Sequence, residues 1–230
     1  METSSENRGT AMSDITPQQV KAGAAGYSKL LLAVYNPMVQ FNYRFIWRCH
    51  PRHVLELYNE HVSANHLDVG VATGIILDYC RFPTPKPRLG LMDLNPNSLE
   101  AASKRMARYT PESYLRNVLD PIDIDAEPFD SVGLANLLHC LPGTMKTKGV
   151  VFEHLEALLN PGGTIFGCTV LYRRVERSPL ATLMAHMLNA SRVITNKEDD
   201  VEGLQQNLDR YFSEGSVKVI GCVALFWARK

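Results

Sequence analysis

The chain has 230 residues, enough for one α/β domain with a sizeable core, and 45% of them are hydrophobic, as in ordinary globular proteins. Its 24 lysines and arginines are balanced by 24 aspartates and glutamates, so the formal net charge is zero. Without a basic block or stripe, binding to nucleic acid or to an anionic membrane surface through a general positive field is not expected.

Targeting and redox features are those of an intracellular protein. The opening residues lack the apolar h-region of a secretory signal, and the apolar runs further on are too short to span a bilayer. The five cysteines are scattered and odd in number, without a Cys-x-x-Cys pair, and are interpreted as reduced thiols of a cytoplasmic protein. The seven histidines lack the spacing of a ligand pair, so no metal site is expected.

The first quarter of the chain is predicted to form a helical cap before the first strand. Residues 1–14 are polar and are interpreted as a disordered tail. A helix is expected to begin near Thr16, a typical N-cap that is followed by a proline. Apolar residues then recur at helical spacing, with a break at Pro37 and a further helix from Pro51. Residues 15–64 are therefore assigned to the cap.

From residue 65 onwards, predicted strands alternate with predicted helices. The strands are expected in the stretches HLDVGV, PRLGLMDL, SYLRNVL, FDSVGLANLLHCL and TIFGCTVLY. Apolar strands that alternate with helices indicate a parallel sheet covered on both faces, which is an α/β fold.

The last part of the chain departs from this alternation. Residues 173–205 show no strand pattern and are predicted to form a helical insertion over the sheet edge, with a helix starting at the capping box of Thr195 and Glu198. The final stretch is interpreted as two strands that meet at a tight turn at Gly221, one of them antiparallel to the rest. Residues 65–230 are thus predicted to form a doubly wound, mostly parallel seven-stranded sheet.

The candidate binding site is the first strand-to-helix turn, DVGVATG, because open α/β sheets bind ligands beyond the carboxyl ends of their strands. Gly70 and Gly74 let the backbone approach a ligand closely, since no Cβ stands in the way. Ala72 narrows the same gap by a methyl group. Asp68, at the end of the strand, can accept a hydrogen bond from an ammonium group or from water and would repel a pyrophosphate.

A second acid, Asp93, ends the next predicted strand and can accept both hydroxyls of a ribose. A dinucleotide fold has Gly-x-Gly-x-x-Gly in the first turn, whereas this turn has Asp-x-Gly-x-x-x-Gly. The ligand is therefore expected to carry a positive charge and a ribose but no phosphate beside the first turn. S-adenosylmethionine satisfies both demands.

Five motifs in this order resemble those of the class I S-adenosylmethionine-dependent methyltransferases: HLDVGVATG, LGLMDLNPNSLEAA, LRNVLDP, FDSVGLANLLHCLPG and ALLNPGGTIFG. The resemblance covers about residues 27–228. The N-terminal YSKLLLAVYNPMV and FIWRC are similar to small stand-alone microbial enzymes that methylate metabolites, often natural products. The resemblance implies a Rossmann-like methyltransferase fold, S-adenosylmethionine as cofactor and a small-molecule acceptor.

The resemblance also implies roles for individual residues at the methionine and ribose parts of the cofactor. Gly70 and Gly74 would bring backbone against the methionine part, with Ala72 between them, and Asp68 would anchor its amino group. Asp93 would hold the ribose diol.

Further residues would surround the adenine and cover the cofactor. Leu94 would pack on the adenine, and Asn117 and Val118 would flank its edge. Many relatives carry an aspartate where Asn117 stands, so Asp120 could take that role instead. The remaining candidate contacts are one residue on the methionine side and two tyrosines of the cap: Asn136, Tyr27 and Tyr35.

His139 follows the fourth predicted strand and is either a structural histidine or the catalytic base near the transferred methyl, because an imidazole pKa of about 6.5 suits a base at cell pH. The aromatic cap and neutral charge favour an oxygen acceptor on a fairly apolar metabolite, with nitrogen and carbon acceptors left open. Three alternatives remain: a cyclase or regulatory protein that binds the cofactor without methylating, a nicotinamide-dependent oxidoreductase, and a methyltransferase acting on protein or RNA. No oligomeric state is predicted.

Overall fold

A seven-stranded mixed sheet forms the centre of the computed structural model, which describes residues 37–230. The strands are β1 (Asn65–Val69), β2 (Arg88–Asp93), β3 (Glu112–Leu115), β4 (Phe129–Ala135), β5 (Leu159–Val170), β6 (Glu214–Ile220) and β7 (Val223–Arg229). Their order is β3-β2-β1-β4-β5-β7-β6, with β7 antiparallel to both of its neighbours and the other pairs parallel. The predicted doubly wound sheet with an antiparallel last strand is confirmed.

Helices cover both faces of this sheet. They are α1 (Arg52–His61), α2 (Ile75–Tyr79), α3 (Pro96–Arg105), α4 (Met145–Lys148), α5 (Val150–Glu156), α6 (Pro179–Ala190) and α7 (Val201–Tyr211). Short turns of other helix types lie at Asn42–Ile46, which is π-helical, and at Ala107–Tyr109 and Leu138–Cys140, which are 3-10 turns. Within residues 37–230, every helix is too short or too polar to cross a membrane.

The core has two apolar layers, one on each side of the sheet. Successive side chains of a strand point to opposite faces, so Leu67 and Val69 of β1 join the layer under α5 and α7. His66 and Asp68 consequently point to the other face, where Tyr58 of α1 belongs to the second layer. Two polar side chains of β1 are thereby buried under α1.

The predicted boundaries of the helical cap can be compared with the structure only in part. Residues 37–41 are helical, and α1 begins at Arg52, one residue after the predicted start at Pro51. The tail at 1–14, the helix start at Thr16 and the candidate cofactor contacts Tyr27 and Tyr35 lie outside the described residues.

The two strands at the end of the chain meet as predicted. Gly221 separates β6 from β7 and has a φ of +58°, a left-handed conformation that favours glycine. A Cβ at this position would collide with the carbonyl oxygen of Trp47. The final hairpin therefore depends on glycine for both its turn and its packing.

One predicted helix start is wrong. The helix expected from Thr195 begins at Val201, where the side chain of Asp200 accepts a hydrogen bond of 2.8 Å from the Gly203 N–H. Thr195 does not cap this helix. Its N–H donates to the His139 carbonyl at 2.7 Å, and its hydroxyl donates to the Leu141 carbonyl. Long-range hydrogen bonds at this residue thus prevail over the local capping pattern.

A buried ion pair ties the same segment to α4. Lys148 Nζ lies 2.6 Å from Asp199 Oδ2 and donates to the Thr195 carbonyl oxygen at 2.9 Å, and both charged side chains are fully buried. Asp199 Oδ1 has no partner among the described residues. The carboxylate of Asp199 therefore depends on Lys148 for compensation of its charge.

Replacing Lys148→Met should lower the free energy of unfolding by about 3–5 kcal/mol, because the buried carboxylate would lose its counter-ion. Chemical denaturation measures this loss. The matched control is Lys104→Met, which breaks the exposed pair of Lys104 with Glu100 and should cost less than about 0.5 kcal/mol. Equal small losses in the two variants would show that the buried pair is not needed for stability.

Candidate active site

A cleft of about 510 Å³ opens at the carboxyl ends of β1, β2 and β4. β1 lies between β2 and β4, so the strand order reverses there and the connections leave on opposite faces of the sheet. Such a switch point is the usual ligand site of open α/β sheets, and the volume suits a ligand of cofactor size. Residues after β1, β2 and β4 and residues before and within α1 line this cleft.

The turn after β1 has three residues in the left-handed region. Gly70, Ala72 and Gly74 have φ values of +73°, +46° and +68°, and all three line the cleft. A Cβ at Gly70 would lie 3.0 Å from Leu137 Cδ1, and one at Gly74 would lie 3.2 Å from the Ala102 Cβ of α3. The glycines therefore give room to neighbouring protein segments as well as permitting the turn.

Ala72 adopts a conformation that costs an L-residue about 1–2 kcal/mol. Its backbone N–H donates to Asp93 Oδ2 at 3.4 Å, so the carboxylate after β2 helps to hold the strained turn. The other oxygen, Oδ1, accepts a hydrogen bond of 2.8 Å from the Asn95 N–H. Burial raises the pKa of Asp93 above its ordinary value, against the opposing effect of these N–H donors.

Asp68 and Asp93 both line the cleft, from neighbouring parallel strands. Asp68 is 6% exposed, and its Oδ1 accepts a hydrogen bond of 2.7 Å from the Tyr58 hydroxyl. The hydrogen bond and the nearby imidazole of His66 both involve Oδ1, and the described residues give Oδ2 no hydrogen bond. A buried carboxylate with one unused oxygen favours a cationic donor in the cleft, because an uncompensated buried charge is costly.

The residues that were predicted to contact the adenine follow β2 and β3 and belong to the cleft lining. Leu94 lines the cleft with 36% of its side chain exposed, and Val118 and Asn117 line it too. The Asn117 amide donates to Asp120 Oδ2 at 2.9 Å. Asp120 is exposed and does not belong to the lining, so the structure gives no support to the alternative role suggested for it.

Asn136 follows β4, has a φ of +63° and lines the cleft. The Tyr43 hydroxyl donates to Asn136 Oδ1 and lies 3.3 Å from Cys168 Sγ. The sequence analysis assigned no role to Tyr43 or Tyr58, so their hydroxyl contacts were missed. The spacing of apolar residues carries no signal for such contacts, because a tyrosine and a phenylalanine fit the same pattern.

The structure does not support His139 as a catalytic base. His139 is not part of the cleft lining, and its Nδ1 accepts the backbone N–H of Val170 at 3.2 Å and lies 3.3 Å from Thr169 Oγ1. Burial, together with the charge of Lys148, lowers the pKa of His139 to about 3. The imidazole is thus a neutral, inward-facing hydrogen-bond acceptor, and its neighbours Leu137 and Cys140 face the cleft instead.

Comparisons with known proteins agree with this geometry. Residues 67–165 match a family model described as "Methyltransferase domain". "Demethylluteothin O-methyltransferase" of Streptomyces thioluteus is 38% identical over 212 residues, which are 92% of this chain and 92% of the relative. "Physcion biosynthesis cluster O-methyltransferase" of Aspergillus chevalieri is 36% identical over 95% of this chain and 99% of the relative. The solved "DhpI-SAH complex structure" has the same fold, with a TM-score of 0.64 at 15% identity over 92% of this chain and 94% of that chain.

The buried His139 predicts a specific dependence of stability on pH. Because its pKa is lowered on folding, the unfolded chain binds a proton that the folded chain does not, and stability falls as the pH drops below the unfolded value of about 6.5. Between about pH 7 and pH 5 this group alone should cost about 2 kcal/mol. His139→Asn keeps an acceptor near the Val170 N–H without titrating, so it should remove that part of the slope in denaturant unfolding at several pH values. Parallel curves for the two proteins would refute the lowered pKa.

Proposed function

Because the chain belongs to the class I S-adenosylmethionine-dependent methyltransferases, we propose that it transfers the methyl group to a hydroxyl oxygen of a small secondary metabolite. The observation that carries the choice of oxygen is the pair of O-methyltransferase relatives, which align with more than nine-tenths of this chain. Zero net charge supports a small molecule rather than a nucleic acid as acceptor. Five free thiols, four of them buried, support a location in the cytoplasm.

S-adenosylmethionine is the cofactor, and the cleft residues fit it. The unused oxygen of Asp68 suits the amino group of the methionine part, and Asp93 suits the ribose hydroxyls. Leu94 and Val118 offer apolar surface for the adenine. Carboxylates placed at two points along the cleft would hold the cofactor in one orientation.

When bound, the cofactor supplies a methyl group on a positively charged sulfur, which is already an activated leaving group. The chain therefore needs no covalent nucleophile, and its task is to hold the acceptor oxygen in line and to exclude water. Leu137, Cys140 and Leu141 after β4 and Val54 and Leu55 of α1 provide apolar walls for that purpose.

The basic groups around the cleft favour an acceptor whose hydroxyl ionises easily. Among the described residues, His50 is the one histidine of the lining, and its Nδ1 accepts the Arg52 N–H at 3.1 Å. In the neutral ring the other nitrogen then carries the proton and donates rather than accepts. Arg44 and Arg52 also line the cleft, and no carboxylate of residues 37–230 pairs with either. Cations beside the cleft stabilise a phenolate or enolate, so we propose a phenol or enol acceptor.

The cofactor site is tested by calorimetry with Asp93→Asn and Asp68→Asn. Each variant should bind S-adenosylmethionine about 10- to 100-fold more weakly, because a charged hydrogen bond to the ligand is lost. Asp125→Asn is the matched control, since this exposed carboxylate does not line the cleft, and the affinity of this variant should stay within about twofold. Unchanged binding in all three variants would contradict the site.

The acceptor class is tested with methyl-labelled cofactor and two phenols of similar size whose hydroxyl pKa values differ by about 2 units. If no base of the chain acts, the pH at which kcat/KM levels off should move with the pKa of the phenol. An inflection at the same pH for both phenols would instead indicate a base on the protein. Transfer to amine analogues alone would overturn the choice of oxygen.

A further inference from the structure

Four buried polar side chains form a row that begins at the cleft, which Tyr58 and Asp68 line, and continues into the core. They are Tyr58, Asp68, His66 and Ser131, here called the Asp68 cluster, and each is between 0% and 6% exposed. The Tyr58 hydroxyl donates to Asp68 Oδ1 at 2.7 Å, and His66 Nδ1 lies 2.8 Å from Ser131 Oγ. Of these four residues, the proposed reaction uses Asp68 alone.

His66 Nε2 faces the same oxygen of Asp68 at 3.7 Å. This separation is too long for a hydrogen bond, and Nε2 has no other partner among the described residues. The negative carboxylate favours the tautomer that carries its proton on Nε2. Oδ1 of Asp68 is thus faced by two donors, one bonded and one electrostatic, and Oδ2 by none.

Because Gly133 of β4 has no side chain, Asp68, Tyr58 and His66 can approach one another closely. It pairs with Asp68 across the sheet, and a Cβ there would lie 2.7 Å from Asp68 Oδ1, 3.0 Å from the Tyr58 hydroxyl and 3.1 Å from His66 Cε1. Three side chains from α1 and β1 therefore converge on the space left by one glycine.

The buried aromatic ring of Phe166, on β5, packs against two members of the cluster. The Phe166 ring lies 4.9 Å from that of Tyr58, edge to face, and stacks on that of His66 at 5.6 Å. In such a low-dielectric setting, hydrogen bonds to a charged group are strong and hold their geometry. Burial raises the pKa of Tyr58 well above its ordinary value, so the hydroxyl stays protonated and donates.

We propose that Tyr58, supported by His66, is a positioning residue that fixes the rotation of the Asp68 carboxylate so that Oδ2 alone faces the amino group of S-adenosylmethionine. A carboxylate already oriented loses little conformational freedom when the ligand binds, and the affinity gain is specific to ligands with an ammonium group. This inference rests on the role proposed above for Asp68.

The test compares two ligands by calorimetry without any acceptor: S-adenosylmethionine and 5′-methylthioadenosine, which shares the nucleoside but lacks the amino acid part. Tyr58→Phe removes one oxygen and should weaken S-adenosylmethionine binding about 5- to 20-fold. This is less than the loss of a direct charged hydrogen bond to the ligand, because Tyr58 acts only through the orientation of Asp68. Binding of 5′-methylthioadenosine should change less than about twofold. A merely structural role would weaken both ligands alike, and that result would overturn the proposal, as would unchanged binding of both.

A matched control and a double variant test whether the effect of Tyr58→Phe on binding depends on Asp68. Tyr211→Phe breaks another hydrogen bond from a tyrosine to a carboxylate, that of Tyr211 with Glu153 at 3.2 Å, and should leave both affinities unchanged. In the Asp68→Asn background, Tyr58→Phe should have less than about a twofold further effect. A full effect in that background would show that Tyr58 does not act through Asp68.

Two glycine variants keep the proposal testable should Tyr58→Phe fail to fold. Gly133→Ala pushes on the Asp68 cluster and should show the same ligand selectivity. Gly90→Ala is its control, because a Cβ there would be equally crowded, at 2.9 Å from Leu67 and 3.0 Å from Phe129, but against apolar groups of the other layer. Equal selectivity in both variants would overturn the proposal. Because no acceptor enters these measurements, a failure to find oxygen methylation leaves their outcome unaffected.

Discussion

The reversal of strand order beside β1 is the constraint on which the rest of the site depends. With β2 on one side and β4 on the other, the connections after β1 and β4 leave on opposite faces and a crevice opens between them. The turn after β1 lines this crevice with three left-handed residues, at positions 70, 72 and 74. Asp68 lies near the end of β1, beside this crevice, and Asp93 ends the neighbouring strand β2. The placement of both acids therefore follows from the sheet rather than from flexible loops.

Alternate side chains of β1 point to opposite faces of the sheet, apolar ones to one face and polar ones to the other. Leu67 and Val69 enter the layer of α5 and α7, which holds the sheet together through apolar packing. His66 and Asp68 enter the layer of α1, where polar groups have partners already in place. A single five-residue strand thus supplies both core side chains and a carboxylate of the cleft, and a slip of one residue in its register would exchange the two faces.

Local patterns allowed much of this to be predicted from the sequence. The acid and glycines after β1, the acid that ends β2 and the turn at Gly221 each depend on a few neighbouring residues, and the structure has the turn geometry that they indicate. Where the prediction from sequence was wrong, hydrogen bonds to residues distant in the chain determined the local structure. Thr195 and Glu198 have the pattern of a capping box, yet hydrogen bonds to residues 139 and 141 engage the threonine and the helix begins later.

The direction in which side chains of a short turn point could not be predicted from the sequence either. His139 lies after β4 as expected, but the 3-10 turn Leu138–Cys140 directs it inward while its neighbour Cys140 faces the cleft. The contact of Tyr58 with Asp68 depends on the way α1 crosses β1 and β4, and on a glycine in a strand 65 residues further along the chain than Asp68. The spacing of apolar residues describes one helix or strand at a time, so it carries no information on contacts between side chains of different elements.

The close approach of Leu137 to Gly70 has a consequence for protein engineering. A side chain from the wall after β4 rests directly on the backbone of the turn after β1, and only hydrogen occupies the space between them. Libraries that broaden substrate range by enlarging residue 137 will therefore also displace the turn after β1. Cys140 and Leu141 line the cleft after β4 as well and are alternative positions for redesign.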